Sequence, residues 1–130
     1  MWSRVRNWFD PREIREVGTA PDYRFSLANE RTFLAWIRTG LALIAGGLAA
    51  AQFLSPLPVP HLREVLATLP IAIGAGCALR AIDHWIRCEI AMRKGEPLPQ
   101  SRFPGLLALI VAVSAVLALA YVIFDATRQT

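Results

Sequence analysis

The chain has 130 residues, of which 55% are hydrophobic and only 18% are charged, and its formal net charge is +4. A soluble domain usually carries about a quarter charged residues, and here the apolar residues are gathered into long runs. The run SAVLALAYVIF lacks the polar face that a core helix of a soluble bundle keeps, which excludes that class. The composition predicts an all-α integral membrane protein with three transmembrane helices.

The N-terminal part, residues 1–20, is predicted to be a cytoplasmic segment preceding a three-helix transmembrane domain at 21–130. Its sequence MWSRVRNWFDPREIREV has charges every few residues and lacks the apolar stretch of about 7–15 residues of a cleaved signal peptide. Two interpretations stay open, an amphipathic helix on the cytoplasmic leaflet and a disordered basic tail. The apolar residues at helical spacing are Trp2, Val5, Trp8 and Phe9. After a linker, GTAPDYRFS, Ser26 is the expected N-cap of the first span.

Three apolar runs are candidates for membrane spans, because a hydrocarbon core about 30 Å thick needs about 20 helical residues. Residues 103–124 are uncharged and are long enough to cross the hydrocarbon core without including a charged residue. The first run reaches that length only by including Arg38, and the second only by including Arg80 and Asp83. The predicted spans are residues 31–54, 64–87 and 103–125.

Basic residues are distributed unequally between the two ends of the predicted spans. Twelve of the 14 Lys and Arg residues lie at or before Arg38 or around the second connection, and only Arg63 and Arg128 lie on the other side. Cytoplasmic loops collect Lys and Arg, so the N-terminus is expected in the cytoplasm and the C-terminus outside. This topology accounts for the net positive charge, and no nucleic acid is expected as a partner.

The sequence shows no sign of a catalytic or metal site. Cys77 and Cys88 would be about 16 Å apart on a helix, too far for a disulfide, whose Cα atoms lie under about 7 Å apart. No clustered His or carboxylate accompanies them, so no metal site is expected. Nucleophile elbows, phosphate loops and paired carboxylates are also missing from the sequence. We therefore expect a protein that is not an enzyme and binds no cofactor.

Charged residues at one end of the first two spans form a predicted charged belt. Arg31 and Arg38 are seven residues apart and share a helical face. Two interpretations of Arg38 stay open: it snorkels to the headgroups as an anchor, or it faces protein or a polar vestibule. Asp83 can pair within its own helix or across to the first. The members of the belt are Glu30, Arg31, Arg38, Arg80, Asp83 and Arg87.

Small residues in the first two spans repeat every four positions, which lets membrane helices approach closely. Three spans with this many small positions favour a homo-oligomer. The predicted packing residues are Ala42, Gly46 and Ala50 in the first span and Gly74 and Ala78 in the second.

The stretch LANERTFLAWIRTGLAL, together with RKGEPLP before the third span, resembles the YidH-type family of small bacterial inner-membrane proteins, a domain of unknown function with three spans. The resemblance covers residues 21–125 and implies a location in the bacterial inner membrane. The same domain is similar to the membrane part of the vacuolar transporter chaperone complex, in which five copies surround a pore for polyphosphate lined by basic residues. That similarity implies a place at the channel entrance for Glu30 and Arg31, and puts Arg24 where a pore-facing lysine stands. Arg38 has no clear counterpart.

Three hypotheses for function follow. The first is a non-conducting, homo-oligomeric membrane subunit with a membrane-protein partner. The second is an oligomeric conduit for an inorganic anion or polyphosphate, and the third is a membrane enzyme. The first two share a lipid bilayer environment and a basic belt on the cytoplasmic side.

Overall fold

The computed structural model describes residues 9–10, 12–55 and 59–128, and within them it contains helices and no strand. Three of the helices are long and apolar enough to cross a membrane, which confirms the all-α transmembrane fold class. Trp2, Val5 and Trp8, on which the amphipathic interpretation depends, lie outside the described residues. The helices are α1 (Arg12–Arg15), α2 (Tyr23–Phe53), α3 (Leu62–Lys94) and α4 (Phe103–Arg128).

Helix α2 begins eight residues before the predicted start of the first span. Its N-cap is Asp22, whose carboxylate accepts a hydrogen bond of 3.0 Å from the backbone N–H of Arg24. The prediction that Ser26 is the N-cap is therefore wrong, because a carboxylate four residues earlier already satisfies the first turn. As a result, Arg24 and the NERTFLAW motif lie on one continuous helix with the apolar span.

Helix α3 continues to Lys94, seven residues beyond the predicted end of the second span. Gly95 ends it in the left-handed conformation, with φ of 67°. The N–H of Glu96 then donates to the carbonyl of Ala91 at 2.9 Å, which closes the helix as a Schellman motif. The extension brings Glu89 and Arg93 onto the helix.

Helices α2 and α3 pack as an antiparallel pair along glycines spaced seven residues apart. A Cβ atom added at Gly74 would lie 2.5 Å from the carbonyl oxygen of Gly40, and one added at Gly40 would lie 2.9 Å from that of Gly74. One heptad further along α2, a Cβ at Gly47 would lie 2.5 Å from the carbonyl oxygen of Ala67. The two backbones therefore touch, with no room for side chains between them.

The described residues up to Pro99 form one compact unit, and those from Gln100 onward form a second that contains α4. Helix α4 begins at the predicted residue and ends three residues later than predicted. Its exposed side chains are large and apolar, including Leu109, Leu117 and Val122. The predicted domain boundary between residues 20 and 21 stays a prediction.

Candidate functional site

The NERTFLAW motif is divided between two faces of α2. On one face the side-chain amide of Asn29 donates to the backbone carbonyl of Trp85 at 3.1 Å, and the ring of Phe33 lies 6.4 Å from that of Trp85. On the other side Glu30 and Arg31 are exposed. One half of the motif therefore attaches α2 to α3, and the other half presents charge.

Three arginines form a row along the exposed side of α2. Arg24, Arg31 and Arg38 are spaced seven residues apart, and all three are exposed. At about 100° per residue, Arg38 lies about 160° around the helix from Gly40, so the row faces away from α3. Within the part of the chain that the structure describes, none of the three forms an ion pair.

Alanines spaced seven residues apart share that side of α2 with the arginines. They are all exposed, in contrast to the large side chains that α4 exposes. Gly46, one of the predicted packing residues, lies on the same side and has no atom within 4 Å of an added Cβ. Small residues are typical of helix–helix interfaces in membranes. We call this surface the outer face of α2: Arg24, Ala28, Arg31, Ala35, Arg38, Ala42, Gly46 and Ala49.

The other predicted packing residues differ in their surroundings. Gly74 is buried against Gly40, as described above, whereas Ala78 and Ala50 are half-buried. Ala42 is exposed on the outer face. The row of residues 42, 46 and 50 is thus not the surface that joins α2 to α3, because Gly40 and Gly47 occupy that position.

The α3 half of the charged belt pairs within its own helix. Asp83 Oδ2 accepts a hydrogen bond from Arg80 Nη1 at 3.0 Å and also pairs with Arg87 Nη2. The sequence left this arrangement and an Asp83–Arg38 pair open. Because Gly40 packs on Gly74, Asp83 lies level with Arg31, and Arg38 lies about 10 Å further along the bundle axis.

Sequence reasoning missed a buried ion pair at the same end of the helix pair. The side chains of Glu89 and Arg93 are only 11% and 13% exposed, and Arg93 Nε lies 3.5 Å from Glu89 Oε1. The hydroxyl of Ser26 on α2 lies 3.5 Å from both carboxylate oxygens. We call Ser26, Glu89 and Arg93 the polar junction. The four-residue spacing of Glu89 and Arg93 is an ion-pair signal, but the predicted helix ended at residue 87.

Neither cysteine belongs to a recognisable chemical site. Cys77 is fully buried against Gly40, and Cys88 is buried with its Sγ 3.5 Å from His84 Nε2. Across residues 9–10, 12–55 and 59–128, no three His, Cys, Asp or Glu side chains come together in a way that could hold a metal ion. The arrangement can therefore pack helices and attract anions, and we assign no reaction to it.

Comparison with known proteins identifies the family. The family model described as "Domain of unknown function (DUF202)" matches residues 24–91, which is more than half of the chain. The chain belongs to this family. It is 44% identical to "Inner membrane protein YidH" of Escherichia coli (strain K12) over 86% of this chain and 97% of that protein. It is 42% identical to "Uncharacterized protein Rv2272" of Mycobacterium tuberculosis (strain ATCC 25618 / H37Rv) over 82% of this chain and 87% of that protein. No solved structure matches.

The region matched by the DUF202 model coincides with α2 and most of α3. It begins at Arg24, contains the whole outer face of α2, and ends at Ala91, beyond Glu89. The predicted YidH-type family is thereby confirmed, and the chain is an inner-membrane protein with three spans. The matched region therefore contains both the glycine-packed helix pair and the basic row of α2.

Proposed function

We propose that this DUF202 protein is a non-enzymatic subunit of the inner membrane that forms a homo-oligomer through the outer face of α2. The observation that carries the proposal is the composition of that exposed face. Its four alanines and Gly46 form a smooth surface on the side of α2 opposite to α3. In a membrane, such surfaces pack against other helices.

The charges on α2 support the same arrangement. An arginine within the span of a single exposed helix is costly, about 3 kcal/mol at the bilayer centre on insertion scales and less near the interface. Arg38 is the deepest of the row, and Glu30 is exposed on the flank of the same helix. If a second copy packs against this face, Arg31 and Arg38 lie against protein and not against lipid.

The orientation in the membrane is part of the proposal. Twelve of the 14 basic residues lie on the side of the N-terminus and of the connection between α3 and α4. The positive-inside rule supports a cytoplasmic N-terminus and a C-terminus on the outer side. The basic row on α2 then lies at the cytoplasmic end of the oligomer.

A second candidate function is an oligomeric conduit for an inorganic anion or polyphosphate. It is favoured by the basic row of Arg24, Arg31 and Arg38, none of which forms an ion pair within the described residues. If several copies turned this row toward a common axis, the arginines would form an anion-attracting ring.

Oligomerisation is tested with Gly46→Leu and its control Gly76→Leu. Both glycines lie in helices with no atom within 4 Å of an added Cβ, but Gly46 is on the outer face of α2 and Gly76 is on α3. Native mass spectrometry of detergent-purified protein should show an oligomer for the parent and Gly76→Leu, and mainly monomer for Gly46→Leu. If the parent is a monomer, or if both variants remain oligomeric, the proposed interface is wrong.

Anion flux into proteoliposomes separates the two candidate functions. A conduit requires that the parent passes phosphate or polyphosphate, and that Arg31→Gln abolishes passage without changing the oligomer. Arg128→Gln, at the other end of the chain, is the matched loss of one arginine and should leave the flux unchanged. A parent that assembles but passes no anion supports the non-conducting subunit.

A further inference from the structure

A short N-terminal segment lies against the C-terminal end of α3. We call residues 12–19, which comprise α1 and the turn after it, the strap. Ile14 is 3% exposed, although its neighbours Arg12 and Arg15 are exposed, and α1 packs against α3. Ile14 is therefore the most deeply buried apolar side chain of this segment, and Val17 is half-buried.

Arg93 holds the strap through both its side chain and its backbone. Its Nη1 donates to the carbonyl of Arg15 at 3.1 Å, and its own carbonyl accepts from the N–H of Thr19 at 3.1 Å. The carbonyl of Arg93 belongs to the last turn of α3, where carbonyls have no partner within the helix. The strap thus also caps α3.

Gly18 fits this contact in a way that other residues cannot. Its φ is 64°, in the left-handed region, and an added Cβ would collide with the carbonyl oxygen of Arg93. A side chain at position 18 would strain the turn and also push the strap away from α3. The docked position therefore depends on glycine.

Beneath the strap lies the polar junction. Glu89 and Arg93 are among the most buried charged side chains of the helix pair, and the Arg93–Arg15 hydrogen bond is their link to the strap. Arg93 Nε is buried and lies 3.5 Å from Glu89 Oε1, but it has no hydrogen-bond partner among the described residues. Release of the strap would remove the partner of Arg93 Nη1, the carbonyl of Arg15.

We propose that the strap is a releasable cover over the polar junction, which opens as a local unit while α2 and α3 stay packed. Its contacts with α3 in the described residues include the buried side chain of Ile14 and two hydrogen bonds to Arg93, and most of its residues are exposed. Segments with few buried apolar contacts and exposed backbone are those that open locally. In the open state the guanidinium of Arg93 and the carboxylate of Glu89 become available at that end of α3. This inference does not depend on the proposed oligomer.

The experiment compares Gly18→Ala with Gly95→Ala in the full-length protein in lipid nanodiscs. Both glycines have positive φ, so both variants carry the same backbone strain, but Gly95 has no atom within 4 Å of an added Cβ. Limited trypsin digestion reports opening through cleavage after Arg15. We expect Gly18→Ala to raise that rate by about tenfold or more, since the collision shifts the equilibrium toward the open state. Gly95→Ala should leave it near the parent rate.

Backbone hydrogen exchange supplies the second measurement, on the same three proteins. The amide of Thr19, whose N–H donates to the Arg93 carbonyl, should exchange faster in Gly18→Ala, whereas those around Gly40 and Gly74 should not change. Equal cleavage after Arg15 in Gly18→Ala and Gly95→Ala would overturn the proposal. So would faster exchange at Gly40 and Gly74, because the strap would then not be a separate unit. A parent cleaved after Arg15 no faster than after Arg31 would show that the cover is not releasable.

Discussion

The close contact between Gly40 and Gly74 predicts that a side chain at position 74 lowers the free energy of unfolding. In Gly74→Ala the new Cβ would lie 2.5 Å from the carbonyl oxygen of Gly40 and 2.8 Å from Cγ1 of Ile44. The first of these is a backbone atom in the middle of a helix, which cannot rotate away as the end of a side chain can. To restore a separation of about 3.5 Å, the two helices must move apart by roughly 1 Å.

The size of the effect follows from that displacement. A gap of about 1 Å forfeits up to half of the dispersion attraction along the contact, and overpacking by one methyl group typically costs about 1–3 kcal/mol. Alanine gains at most about 1 kcal/mol over glycine in helix propensity. After this gain is subtracted, we expect Gly74→Ala to lower the free energy of unfolding by about 1–2 kcal/mol.

Gly76→Ala is the matched control, two residues away in the same helix. An added Cβ there has no atom within 4 Å, so only the gain in helix propensity acts. The assay is reversible unfolding of the purified protein in mixed micelles as the fraction of denaturing detergent rises, followed by circular dichroism. The expected order of stability is Gly76→Ala at or above the parent, and Gly74→Ala clearly below it. Equal stability of the two variants would refute the backbone contact on which this reasoning depends.

Two further predictions concern topology and charge. In a background without accessible cysteine, Lys94→Cys should be protected from an impermeant thiol reagent outside the cell and Thr127→Cys should be labelled; the reverse pattern would contradict the proposed orientation. Asp83→Ala should lower the free energy of unfolding by about 0.5–1 kcal/mol, since it removes two half-exposed ion pairs within α3. Arg38→Ala, measured beside it, should leave the stability of the single chain unchanged, and a larger loss for Arg38 would indicate a partner that the described residues do not show.

The fold could be predicted from the sequence because hydrophobicity determines it. Three apolar runs of sufficient length identify three spans, and the absence of charge between 103 and 124 fixes the third almost to the residue. The helix ends were predicted less well. The polar extensions of α2 and α3 beyond the span carry no hydrophobic signal, and they depend on the cap at Asp22 and the left-handed turn at Gly95.

The candidate site could be predicted only in part, because residue spacing does not show which face of a helix meets which neighbour. The spacing of Arg31 and Arg38 shows that they share a helical face. The spacing of Arg80, Asp83 and Arg87 shows the same for α3. The register between α2 and α3 does not, because it is set by the contact of Gly40 with Gly74. Without that register, Asp83 could be placed at the level of Arg38 rather than that of Arg31.

The three faces of α2 provide the strongest physical argument for assembly. One face, with Gly40 and Gly47, is occupied by α3. A second, the row of Leu27, Leu34, Leu41 and Leu48, is exposed and has the large apolar side chains that suit lipid. The third is the outer face, which is exposed but made of alanine, glycine and arginine.

Small side chains gain little from contact with lipid, and arginine at depth is costly there. Among the described residues of the unit that ends at Pro99, α3 is the helix that packs against α2. We therefore propose a second copy of the chain as the neighbour of the outer face. The leucine row should therefore tolerate exchange of Leu41 for Ile without loss of the oligomer, whereas the outer face should not tolerate a bulky residue at position 42.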